Sequence, residues 1–236
     1  ATHASHGIVV ALVSAGDVLN YSHACVKTSV TALRSGNPAL SAIGYAAIGF
    51  NYGVSSLWWL SNLMLGRAKR FASQSGDSDS SPTIAYVSGH AATSLYMQGR
   101  SDESIAGVRE AITALARFGD PSISVELHHH LRHAFMAIGD SQQVLAAAHK
   151  ELEIANQLSD WELKCWADYG CATALARMGR TAEAFEHAEN SIEGVRGRDR
   201  FVSECIALHH YAFAALQGSQ YDLAAELAEQ SIGIIW

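Results

Sequence analysis

The chain has 236 residues, 49% of them apolar and 17% charged, so it can bury a core and is not a disordered chain. A formal charge of −7, from 16 basic against 23 acidic residues, argues against a dedicated nucleic-acid surface. No apolar run reaches the roughly 18 residues of a membrane span, and Ile8–Val13 is too short and lacks the basic flank of a secretory signal.

Only 3 prolines and very many alanines favour helix throughout. Residues 1–36 read as a helical hairpin turning at Gly16-Asp17. Residues 37–76 read as a second, irregular hairpin whose turn falls near Leu60 or at Gly66-Arg67. The polar run Ser73–Pro82 reads as a loop. From 77 to 236 the chain repeats with a period of 40 residues. One apolar column reads Ile105, Leu145, Phe185, Ala225, and the next reads Val108, Ala148, Ala188, Ala228. Two more read Ile112, Leu152, Ile192, Ile232 and Leu115, Ala155, Val195, Ile235. Steps of three and four are the stripe of an amphipathic helix.

A second helix precedes each of these, with the stripe Leu127, Leu131, Phe135, Ile138 in one unit. Gly99-Arg100, Gly139-Asp140 and Gly179-Arg180 mark the turns between the two helices, and Ser219 takes the aligned place in the last unit. Ser101, Ser141 and Thr181 then stand where the following helix needs a cap. Asp120-Pro121, Asp160 and Asp199 are candidate caps between units. The expectation is therefore all-α: an α-solenoid of about six helix–turn–helix hairpins forming one domain over residues 1–236.

Cys25, Cys165, Cys171 and Cys205 make neither a disulfide framework nor a CxxC zinc pair. Reduced thiols in a cytoplasmic protein are expected. The chain starts without Met and stops at Ile234-Ile235-Trp236 within a helical pattern, which suggests a segment of a larger protein. The last helix should then expose Ile232, Ile234, Ile235 and Trp236, and self-association through this hairpin is expected.

The segments Thr93–Glu103 (TSLYMQGRSDE) and Ala174–Ala184 (ALARMGRTAEA) resemble tetratricopeptide repeats, although that family's usual unit is about 34 residues. Forty-residue units of this kind are similar to the helical-repeat regions of large bacterial LuxR-type, ATPase and cyclase regulators. The resemblance covers residues 82–236 well and 1–76 weakly. It implies a superhelix whose first helix in each hairpin, helix A, lines a concave groove for a peptide or a small effector.

Histidine is the unusual feature, with 12 residues and the run His128-His129-His130-Leu131-Arg132-His133. In the repeat register one helix A position reads His90, His130, Gly170, His210, and the position before it reads Gly89, His129, Tyr169, His209. The position three beyond the first reads Thr93, His133, Thr173, Phe213. The resemblance makes these groove positions. The candidate groove is His90, His129, His130, His133, Trp166, Tyr169, His209 and His210, with His129 and His133 opposite the apolar stripe. His129 and His133 could share one metal ion, with His90 or His130 completing the set, but no ligand spacing specifies a site and neither metal nor cofactor is expected. Alternatively these histidines merely fill helix seams.

No GxSxG elbow, phosphate loop or HExxH motif is present, so no catalytic residue is assigned. Trp58-Trp59 with Phe50, Tyr52 and Leu57 reads as core of the irregular hairpin or as a partner patch. The functional expectation is a non-enzymatic module that binds a protein segment or small effector within a signalling or transcription regulator, touching neither nucleic acid nor membrane. The alternatives are a structural spacer and a histidine-lined helical-repeat enzyme.

Overall fold

Turn chemistry sets the element boundaries. In a computed structural model, the described residues are 26–27, 29–74, 82–198 and 200–235. The helices are α1 Pro38–Val54, α2 Trp58–Gln74, α3 Pro82–Met97, α4 Ser101–Leu115, α5 Pro121–Ile138, α6 Ser141–Leu158, α7 Trp161–Arg177, α8 Thr181–Val195, α9 Phe201–Gln217 and α10 Tyr221–Ile235. Residues 26–27 and 29–34 are also helical, and no strand occurs among the described residues. The expected hairpin at 1–36 falls largely outside them, as do the cap Asp199 and residues 75–81 of the loop expected over Ser73–Pro82, whose ends Ser73-Gln74 and Pro82 belong instead to α2 and α3. The fold is an α-solenoid of helix–turn–helix hairpins. The 40-residue register holds from α4 onward: its equivalents begin at Ser141, Thr181 and Tyr221.

Four helices A end in one way. A residue with positive φ is followed by an N–H that bonds the carbonyl five residues back: Leu57 to Tyr52, Arg100 to Leu95, Arg180 to Leu175 and Gln220 to Ala215. The positive-φ residues are Ser56, Gly99, Gly179 and Ser219. This closure explains why the second hairpin turns at Ser55–Leu57 rather than near Leu60 or at Gly66-Arg67, both of which lie inside α2. Its left-handed residue is a serine, so no glycine marked it. Ser219 holds φ at 60° at the place glycine takes in the other regular units. A β-carbon there is strained by about 1 kcal/mol, so Ser219→Gly is expected to raise stability by up to that amount. Urea denaturation checks it; a destabilised variant contradicts the strain.

The caps differ in part from expectation. Ser101, Ser141 and Thr181 are first helical residues, not caps. Asp140 caps α6 by accepting the Gln143 N–H at 3.1 Å. Arg100 and Arg180 precede α4 and α8 without a side-chain cap bond. They pair instead with Glu103 and Glu183, whose charge suits the helix N-terminus. Asp120 and Asp160 cap α5 and α7 as expected, each accepting two backbone N–H groups.

The described chain forms two compact units that meet in sequence at Ile138-Gly139. In the first, α1 pairs with α2 and α3 with α4, while the A helix α3 also packs on the A helices α1 and α5. In the second, α6 to α10 pack in sequence and α7 also packs on α9. Small residues dominate both cores: Ala42, Ala46, Ala68 and Ala72 surround Leu65 and Val87 in the first. Gly49 approaches α2 so closely that a Cβ would sit 2.8 Å from Leu65 Cγ. Helix contact therefore accounts for Gly49 in Gly44–Gly49. The second unit repeats one hydrogen bond in register, Ser191 Oγ to the Cys165 carbonyl and Ser231 Oγ to that of Cys205.

Val108, Ala148 and Ala188 of the predicted stripe are fully buried. Helix α10 departs from it, burying Leu227 and leaving Ala225, Ala228 and Ile232 in solvent. Ile234 packs on the core rather than being exposed, because it lies with Leu223 and Leu227 on the face toward α9. The Ile235 side chain and Trp236 lie outside the description. Ile138 is also exposed, at the end of its helix. The aromatic residues of the second hairpin disperse: Trp59 is 70% exposed, whereas Phe50 turns toward α3.

Candidate ligand face

The A helices of the first unit bring its candidate residues together. Phe50 of α1 meets His90 of α3 edge-on at 5.3 Å. His90 meets His130 of α5 at 5.9 Å, and His130 meets His129 at 6.1 Å. His129 and His133 lie 4.6 Å apart, and His133 stacks against Tyr96 of α3 at 6.1 Å with planes 9° apart. Tyr86 adds a ring 4.2 Å from His90. The result is a ladder of half-buried rings across three helices. It offers flat faces for stacking and nitrogen edges for hydrogen bonds.

The ladder has a charged underside. Arg132, read in the sequence as one polar member of a histidine run, is 0% exposed. Its Nη2 donates to His129 Nδ1 at 2.9 Å and its Nη1 to Met136 Sδ at 3.8 Å. His129 Nε2 and His133 Nε2 are 3.2 Å apart, so one hydrogen can be shared between them. His129 therefore serves the fold as well as the face, and its position opposite the apolar stripe does not make it dispensable. Burial, reinforced by His90, His129 and Arg132, pushes His130 well below the usual imidazole range.

The second unit carries the remaining candidates. Tyr169 of α7 stacks on His210 of α9 at 4.5 Å with planes 7° apart. Thr173 Oγ1 lies 2.7 Å from His210 Nδ1 and donates to the Tyr169 carbonyl at 2.9 Å, leaving the ring nitrogen as the donor to Thr173. His209 is exposed beside them, 5.5 Å from His210. Trp166 Nε1 donates to Ser203 Oγ at 3.4 Å, and Ser203 in turn donates to the buried Glu162 at 2.8 Å. Tyr169 and Thr173 are themselves buried, so the accessible surface of this group is His209, the outer edge of His210 and part of Trp166.

The candidate groove read from the sequence does not include Arg132, Tyr86 or Tyr96, and the sequence groups Phe50 with the aromatic residues of the second hairpin. Tyr86 precedes His90 by one helical turn, a spacing that could have placed it on the same face. The basic residues Arg67, Lys69 and Arg70 lie on the solvated side of α2, as their pattern suggests. Cys165 is inert: burial, with Asp168 and Glu162 adding, pushes its thiol up to about 12.

No family model matches the sequence, and no curated protein matches it. Solved structures do. One holds the nearly identical TPR-like repeats of what is named a kinesin light chain from Podosopora anserina, superposing with a TM-score of 0.67 at 17% identity over 84% of this chain and 96% of that one. A point variant of it superposes with a TM-score of 0.68 at 18% identity, covering 84% and 95%. The likeness establishes a TPR-like fold.

Proposed function

We propose that the chain is a non-enzymatic recognition module that receives a polar peptide segment, or a small effector of similar chemistry, on its imidazole and aromatic face. The observation that carries this reading is the unbroken sequence of ring contacts from Phe50 through His90, His130, His129 and His133 to Tyr96. Rings spread over three helices favour an extended ligand making several modest contacts. TPR-like repeats commonly serve as protein-binding scaffolds, which supports the same choice. The second group around His209, His210 and Trp166 supplies a further contact surface. The 40-residue register that runs from α4 to α10 supports reading these hairpins as parts of one repeat domain over residues 1–236. Its likeness in sequence to the tails of bacterial regulators supports a place in cytoplasmic signalling or transcription control. No described helix is long and apolar enough to cross a membrane. The exposed Ala225, Ala228 and Ile232 of α10 support self-association through that helix.

Selection of displayed 12-residue peptides on the 236-residue chain tests the reading. Selected peptides are expected to lose about tenfold in affinity with His90→Ala and again with His133→Ala, roughly 1.4 kcal/mol each. His129 is left intact because Arg132 depends on it. Fluorescence anisotropy reads the affinity and a thermal melt confirms the fold. Undiminished binding by a folded double variant, or a selection that yields no binder, overturns the assignment.

A further inference from the structure

Three consecutive helices of the second unit bring together a different set of side chains. One donor atom from each of His149 on α6, Cys171 on α7 and His187 on α8 lies within 4.8 Å of the other two. Cys171 is a reduced thiol, fully buried, whereas His149 stands at the surface and His187 lies between. The His149 and His187 rings are 6.4 Å apart. Among these neighbours Asp168, one turn before Cys171, is 2% exposed. Its Oδ1 lies 2.8 Å from His187 Nδ1. Its Oδ2 is buried without a hydrogen bond.

We propose that His149, Cys171 and His187 bind a divalent transition metal ion, with Zn²⁺ the best match to one sulfur and two imidazole donors. Asp168 is the positioning residue. By holding the Nδ1–H of His187 it fixes the tautomer and leaves Nε2 as the lone-pair donor, the carboxylate–histidine arrangement found behind metal ligands. The charges also agree. On binding, the Cys171 thiol releases its proton to solvent and becomes a thiolate. A dication with one thiolate and two neutral imidazoles then carries a net charge of +1, which the buried Asp168 carboxylate balances. An ion pair between Asp168 and a protonated His187 would satisfy the same carboxylate, but it would give Cys171 and His149 no role.

The geometry needs a small adjustment. Donors around tetrahedral zinc stand about 3.3–3.6 Å apart, given metal–ligand bonds of about 2.0–2.3 Å. The span of up to 4.8 Å therefore has to close by up to about 1.2–1.5 Å. The exposed His149 side chain is free to rotate inward, while the buried Cys171 and the Asp168-held His187 stay fixed. Three protein ligands leave the fourth position open on the His149 side, for water or for a donor brought by a partner. Bound metal would tie α6, α7 and α8 together.

Titration of the metal-free 236-residue chain with Co²⁺ tests the site directly. One equivalent is expected to produce the near-ultraviolet thiolate-to-cobalt charge-transfer band, and Zn²⁺ is expected to displace it and raise the melting temperature. Cys171→Ser is expected to abolish the band, and His149→Ala to weaken binding or abolish it. His149 is exposed, so that variant keeps the test valid should Cys171→Ser not fold. Asp168→Asn should weaken Zn²⁺ affinity by roughly 10- to 100-fold with the band retained. Cys205→Ser, a thiol outside this cluster, should leave the band and the Zn²⁺ affinity unchanged. Absence of the band, or Zn²⁺ affinity unaltered by His149→Ala, overturns the proposal.

Discussion

Arg132→Ala is expected to destabilise the chain by about 3 kcal/mol or more. Arg132 is 0% exposed and is the largest fully buried side chain among the described residues. Truncation opens a void within α5 and its neighbours, the circumstance in which large-to-small changes cost most. It also removes the Arg132 donor that holds His129 Nδ1 at 2.9 Å, and with it a charge-assisted hydrogen bond. Arg132→Met, which keeps most of the volume, is expected to lose less than Arg132→Ala because it avoids most of the void. Arg132→Lys should behave more like alanine than like methionine, because it buries an ammonium that cannot reproduce the planar fork. Urea denaturation separates the three variants. An Arg132→Ala protein within about 0.5 kcal/mol of the parent would show that the histidine face stands without this support.

The second large effect is a loss of stability in mild acid. In the folded chain His130 is held well below its ordinary value of 6.5, first by burial and then by His90, His129 and Arg132. Below about pH 6.5 the unfolded chain therefore takes up a proton at His130 that the folded chain refuses. Stability due to this residue is intact above that pH and falls as the pH drops toward the folded-state value. The slope while only the unfolded form is protonated is about 1.4 kcal/mol per pH unit. The loss begins below about pH 6.5 and continues down to the folded-state value. His130→Gln is expected to flatten the stability profile over this interval relative to the parent, whatever its effect at pH 8. Parallel profiles for the two proteins would mean that His130 is protonated as readily in the folded chain as in the unfolded one.

Both predictions rest on burial that a helical wheel does not report. The repeat itself was legible because it is written in backbone chemistry: a left-handed residue at each turn, aspartates before α5 and α7, and small residues where helices cross. Those constraints recur every 40 residues, so one unit predicts the next. The turn after α1 escaped because Ser56, not glycine, adopts the positive φ. The histidine ladder was half legible. Register placed His90, His130 and His210 at equivalent positions, yet gave no warning that Arg132 turns inward beside them. Thr93 and Thr173, aligned with His133, are buried and donate to carbonyls of their own helices. Equivalent positions therefore differ in exposure from unit to unit. The group of His149, Cys171 and His187 follows no register and no short motif, since its members come from three helices at unequal spacing. Only the packing of α6 and α8 against α7 brings them together.

Ligands are expected to meet this protein through the rings on α1, α3 and α5. The most direct measurement is a two-dimensional NMR titration of the isotopically labelled 236-residue chain with one selected peptide, following the imidazole C–H and backbone amide signals. The shifts are expected to concentrate on His90, His133 and Tyr96, with smaller changes at Phe50 and His130. Shifts confined to α2 and α4, or to the exposed face of α10, would place the binding surface elsewhere and contradict the account.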